Sequence, residues 1–95
     1  MISLDLSQRE VSGPRGKVVL SRQQCALLDR LIRAKGRYVS FDELMDALWP
    51  DADQMPDTWL RVIRVQIFHL RLKLREIQGP AIFNRFALGY MIEAA

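Results

Sequence analysis

Thr58-Trp59-Leu60-Arg61-Val62-Ile63-Arg64-Val65-Gln66-Ile67-Phe68-His69-Leu70-Arg71-Leu72-Lys73-Leu74-Arg75 carries two interleaved periodicities, and they decide how the chain is read. With residues stepped around a helix from Ile67, Leu60, Ile63, Ile67, Leu70 and Leu74 fall within roughly 60° of one direction. That is the stripe a helix turns toward a core. Arg61, Arg64, Phe68, Arg71 and Arg75 fall on the adjoining stripe, alternately three and four residues apart. Four guanidinium groups on one face repel one another, so the clustering asks for a compensating anion. Arginine suits that role, because its planar fork grips phosphate or guanine O6/N7 with two hydrogen bonds. Val62, Val65 and Leu72 also point away from the core stripe. They fit thymine methyls in a major groove or a protein interface, and the sequence leaves both open.

Outward from this helix, punctuation is clear. Asp57 or Thr58 caps it, and Gly79-Pro80 ends it near Gln78. Upstream, Ser21-x-x-Gln24 is a capping box opening a first helix, with Cys25, Leu28, Leu31 and Ile32 inward and Gly36 terminating it. Ser40-x-x-Glu43 is a second capping box. Its short helix puts Leu44, Ala47 and Leu48 inward and stops at Trp49-Pro50. Residues 51–56 are polar and loop-like. Residues 2–6 alternate apolar and polar as a strand does, residues 17–20 form another, and residues 9–12 pair with one of them. At the other end, residues 82–86 and 89–93 form a terminal hairpin around Ala87-Leu88. The fold class is therefore α+β: N-terminal antiparallel strands (1–20), a three-helix core (21–78) and a hairpin wing (80–95), a winged helix-turn-helix in one domain of residues 1–95.

Composition agrees. Ninety-five residues suffice for one core, and 49% apolar with 26% charged is an ordinary globular balance. No apolar run approaches the roughly 20 residues of a membrane span, and no signal peptide is visible, so the expected setting is cytoplasmic. Cys25 is the single cysteine, which excludes an internal disulfide, and its place on an apolar stripe reads as a buried thiol. The net charge of +3 is unevenly placed. Residues 1–56 are neutral, with eight bases and eight acids, whereas residues 57–95 hold six bases against three acids. That concentration suits a polyanion, though a solvated cationic face would look the same.

The chain resembles the OmpR/PhoB-type winged-helix output domain of bacterial response regulators. The resemblance rests on Leu20-Ser21-Arg22-Gln23-Gln24, on Gly36 through Leu44 with Leu48-Trp49, on Ile63…Ile67…Leu70-Arg71-Leu72-Lys73-Leu74, and on Gly89-Tyr90-Met91-Ile92. It implies a bacterial transcriptional regulator whose third helix enters the major groove of double-stranded DNA while the wing touches an adjacent minor groove. The DNA-facing places carried over are Arg61, Arg64, Val65, Gln66, Phe68, His69 and Arg71. Lys73 and Arg75 are expected on phosphates, and Arg85 in the wing. The 51–56 loop matches the family's RNA polymerase contact, and tandem or homodimeric binding on DNA is compatible with it. Three departures stand out: Arg64 replaces a usual aspartate, Phe68 a polar or basic residue, and the wing allows two registers. One, without a gap, puts Arg85 in a buried valine's place; the preferred one, with the turn one residue shorter, loses the tip arginine. In the preferred wing register Phe86 fills a buried place, Phe83 matches the apolar position before it, and Arg85 faces out. No receiver domain is present, so no phosphorylation switch is inferred.

The alternative is a protein-interaction module docking RNA polymerase or another regulator on Val62, Val65, Phe68 and Leu72. An enzyme is not expected. His69 has no neighbouring ligand at metal spacing, no phosphate loop exists, and no metal or cofactor is called for.

Overall fold

Helices in this chain begin where a hydroxyl can accept from orphan backbone N–H groups. In the computed structural model, which describes residues 2–93, Ser21 Oγ accepts from Gln24 N at 3.1 Å and Gln24 Oε1 accepts from Ser21 N at 3.0 Å. This reciprocal box starts helix α1 (Arg22–Arg33). Ser40 Oγ likewise accepts from Glu43 N at 3.1 Å and starts α2 (Phe41–Leu48). The second box is only half made: one Glu43 oxygen accepts from the Ser40 hydroxyl at 3.3 Å rather than from Ser40 N, and the other pairs with Arg30 and ties α2 to α1. Helix α3 (Trp59–Glu76) starts without a side-chain cap: Thr58 occupies the N-cap position but makes no capping bond. Residues 51–56 are not featureless either. Asp51 Oδ1 accepts from Asp53 N at 3.0 Å and winds Ala52–Gln54 into a 3₁₀ turn.

Ahead of the helices, β1 (Ser3–Asp5), β2 (Glu10–Gly13) and β3 (Gly16–Val19) form an antiparallel sheet in that order. Val11 pairs with Leu4 and Val18 and is fully buried. Asp5 Oδ1 accepts from Ser7 Oγ, Ser7 N and Gln8 N, which hold its carboxyl below the usual carboxylate range, the Ser7 hydroxyl foremost. The β2–β3 turn docks on the end of α3, where Arg15 N donates to Ile77 O at 3.1 Å.

The core joins all three helices: Leu27, Leu28 and Leu31 of α1, Leu44 of α2, and Ile63, Ile67 and Leu70 of α3 are fully buried. The expected stripe on α1 shifts by one position, since Leu27 is inside while Ile32 is 36% exposed at the edge. Ala47, Leu48 and Leu60 are half-buried rather than inside, and Trp49 and Trp59 pack against the core's rim. Cys25 is buried and unpaired, and burial raises its thiol above the usual range, with Asp29 adding to the effect. No helix among the described residues is long and apolar enough to cross a membrane.

The C-terminal hairpin is β4 (Ile82–Arg85) with β5 (Gly89–Ile92). Ile82 pairs with Ile92, Asn84 with Tyr90 and Arg85 with Gly89. Met1, Ala94 and Ala95, at the ends of the expected segments, lie outside the described residues. The preferred wing register is corrected. Phe86 fills no buried place but stands 97% exposed at the tip, and Phe83 is 42% exposed. Ile82, Tyr90 and Ile92 form the buried side of the hairpin, and Arg85 faces out as expected. Gly89 enforces this arrangement. Its φ is +117°, and a Cβ there would lie 1.9 Å from Val39 O. Val39 and Tyr90 exchange two backbone hydrogen bonds at 2.7 and 3.0 Å, fastening the wing to the entry of α2.

Gly89→Ala therefore breaks the Val39–Tyr90 pair and is expected to cost about 3–5 kcal/mol in urea unfolding; a loss under about 1 kcal/mol would show that the wing is not fastened there. Helix α3 ends in a Schellman motif, with Gly79 N bonded to Leu74 O at 2.7 Å and Gln78 N to Arg75 O at 3.1 Å. Gln78 sits at φ +52°, where glycine is favoured. Gln78→Gly is expected to raise stability by about 0.5–1 kcal/mol in the same assay.

Candidate nucleic-acid interface

The outer face of α3 is built from what the core leaves over. With Ile63, Ile67, Leu70 and Leu74 buried, Arg61, Arg64, Val65, Phe68, His69, Leu72 and Arg75 are exposed together. Val65, Phe68 and Leu72 are 43%, 57% and 42% exposed. The Phe68 ring meets the His69 ring edge-on at 5.6 Å. Val62, expected outside, is half-buried.

Not every cation on the helix is free. Lys73 Nζ donates to Val19 O at 2.9 Å and to Gln24 Oε1 at 2.7 Å. Gln24 is buried, and its Nε2 donates to Gln66 Oε1 at 3.0 Å. Lys73 and Gln66 were both expected on DNA, and the structure turns Lys73 toward β3 and Gln24, and Gln66 toward Gln24 of α1. On the helical wheel they lie on the flank opposite the arginines, at about 100° and 120° from Ile67. Only the contact partners, distant in sequence, reveal that role.

Arg71 is held as well. Its Nε and Nη2 donate to Ile82 O at 3.1 and 2.9 Å, and its guanidinium lies over the Tyr90 ring at 5.6 Å. Tyr90 meets Phe41 edge-on at 5.6 Å and 80°, and Arg64 lies over Phe41 at 5.8 Å. Arg64, Phe41, Tyr90 and Arg71 thus alternate cation, ring, ring, cation across α3, α2 and the wing. Sequence reading missed Phe41 and Tyr90 as supports for the arginines. This ladder relieves part of the like-charge repulsion, since ring faces and a carbonyl attract the two inner cations. It leaves Arg61, Arg64 and Arg75 exposed on the helix and Arg85 exposed on the wing. No acidic residue interrupts the chain from 60 to 75 or from 77 to 92. The arrangement offers a cationic surface with apolar inserts, suited to a polyanion that also has apolar edges. Among the described residues no group of three or more His, Cys, Asp or Glu side chains converges as a metal site.

Division of the cations into held and free is measurable. Lys73→Met withdraws a charged donor from Gln24 and Val19 and is expected to cost about 1–2 kcal/mol of stability. Arg75→Ala is expected to stay within about 0.5 kcal/mol of the parent chain. Equal effects in urea unfolding would contradict the assignment.

Comparison with known proteins gives the surface a context. The family described as "Transcriptional regulatory protein, C terminal" matches residues 15–92. The chain is similar to the transcriptional regulatory protein CutR of Streptomyces coelicolor, 35% identical over 91 residues that cover 96% of this chain and 40% of CutR. It is 33% identical to the sensory transduction protein BceR of Bacillus subtilis over 94% of this chain and 38% of that protein. It therefore spans about two-fifths of the length of these curated relatives. Among solved structures, the C-terminal domain of the nisin resistance regulator NsrR superposes with a TM-score of 0.81 at 23% identity, covering 99% of this chain and 93% of that one. The DNA-binding domain of the response regulator AdeR, solved in complex with an intercistronic region, gives 0.79 at 19% identity, covering 99% and 95%. The fold is the winged helix, and the chain belongs to the family of C-terminal domains of transcriptional regulatory proteins.

Proposed function

We propose that this chain is the DNA-reading part of a bacterial transcriptional regulator, binding double-stranded DNA with α3 in the major groove. The observation that carries the reading is the free, acid-free cationic face of α3, with Arg61, Arg64 and Arg75 exposed around Val65, Phe68 and Leu72. The DNA complex of the similar AdeR domain supports it. Arg61 and Arg75 near the two ends of the helix hold phosphates. Arg64, braced on Phe41, reaches a base edge, and His69 accompanies it. Val65, Phe68 and Leu72 contact thymine methyls. Arg85 holds a phosphate from the wing. Gln66, Arg71 and Lys73 act as positioning residues, keeping α3 and the wing at a constant angle. Contact with RNA polymerase through the exposed 51–56 loop, and tandem or homodimeric binding on DNA, rest on family resemblance. The place of work in this proposal is the cytoplasm, and no catalytic step is part of it.

Binding to a duplex recovered from a random pool should fall with salt along a log–log slope of roughly −3, as three phosphate-holding arginines would give. Arg61→Ala should reduce that slope by about one and weaken all duplexes alike. Arg64→Ala should cost about 1–3 kcal/mol and relax preference at one base pair. Binding that is flat in salt, or a pool that yields no enriched sequence, would overturn the reading.

A further inference from the structure

Phe86 has no packing role that accounts for it. It is 97% exposed, where the next most exposed large apolar side chain among the described residues, Val19, is 60% exposed. Its support, by contrast, is stiff. Gly89 lies against Val39 O, Tyr90 is backbone-paired to Val39, and Arg71 grips Ile82 O. Residues 83–88 are exposed, and the turn is closed by a bond from Leu88 N to Arg85 O at 3.0 Å, with Ala87 held at φ +68°. An apolar ring on a pre-set turn loses little freedom on insertion. Beside it Arg85 is exposed, and no acid occurs from residue 77 to 92.

Proteins that bind the minor groove use apolar side chains of this kind as wedges, which part neighbouring base pairs and kink the duplex. With α3 in a major groove, the winged-helix resemblance implies that the wing it braces reaches the adjacent minor groove. We propose that Phe86 is a wedge, inserted from the wing tip between two base pairs of that minor groove while Arg85 holds the flanking phosphate. Insertion requires a step that unstacks readily, so Phe86 adds a preference for pyrimidine–purine steps such as TA at one point outside the helix footprint. This inference rests on the DNA-binding reading. The apolar tip supplies by shape and stacking what an arginine would supply by charge. A protein pocket could also take an exposed ring, but Arg85 beside it, and the arginine face of α3 to which Arg71 ties the wing, favour a polyanion.

The test uses the 95-residue chain and a duplex of about 30 base pairs selected from a random pool by that chain, with 2-aminopurine walked through the positions flanking the helix footprint. Insertion should raise 2-aminopurine fluorescence at one step, and end-labelled duplex should show a bend by energy transfer. Phe86→Ala should lose both signals and roughly tenfold in affinity at unchanged salt slope, and Phe86→Leu should restore most of each. The ring touches no core, so these variants should melt as the parent does. If Phe86→Ala binds within twofold and 2-aminopurine stays silent, while Arg61→Ala and Arg64→Ala still weaken binding, the wedge is refuted and the DNA reading stands. If no duplex is enriched at all, both fall. Loss of a bound protein on Phe86→Ala with DNA affinity intact would refute the wedge in favour of a protein pocket.

Discussion

The buried amide of Gln24 sets the rotation of α3, and with it everything the helix shows to solvent. Its oxygen takes the Ser21 N–H that begins α1 and the ammonium of Lys73, and its nitrogen reaches Gln66. A polar group inside a core tolerates few alternatives, because a partner lost there is not replaced by water. The apolar stripe from Ile63 to Leu74 permits some slippage of the helix about its axis. The amide, which must meet partners two turns apart on one flank, permits far less. Start signal and helix orientation are thereby joined in one side chain.

A second set of contacts works from the other flank. Arg71 and Arg64 each lean on a ring, and the rings meet edge-on, so the wing, α2 and α3 share one continuous contact. A stripe that looks uniformly cationic in sequence separates into supports and free ends. Arg71 works on a carbonyl and a ring, while Arg61 and Arg75 are exposed. The same division explains how this helix tolerates arginine at position 64, since Phe41 lies under it.

Local signals in the sequence carried the elements that depend on neighbours along the chain. The Ser21 box, the three-and-four spacing of the buried face of α3 and the Gly79 stop are each set by residues no more than five apart, and all were legible. What escaped depends on contacts across the fold. The direction of Lys73 is decided by Val19 and Gln24, about fifty residues away. The wing register is decided by the clearance between Gly89 and Val39, which no alternation of Phe83, Arg85 and Phe86 could report. Ile32 and Leu27 exchange places because α1 turns slightly more of one side to the core than its spacing implies. At Ser40 the Glu43 carboxylate is shared between the cap hydroxyl and Arg30, a residue on another helix.

The fastening of Tyr90 to Val39 also orders events in time. A two-stranded hairpin holds poorly alone in water, and the residue this one needs lies more than half the chain earlier. During synthesis the three helices leave the ribosome first and can close around their leucines and isoleucines. The wing emerges afterwards onto a docking edge already in place. A chain interrupted just before Gly89 would keep α3 and its arginines, but no partner strand would hold residues 82–85. Residues 82–92 turn a helical body into a two-armed one.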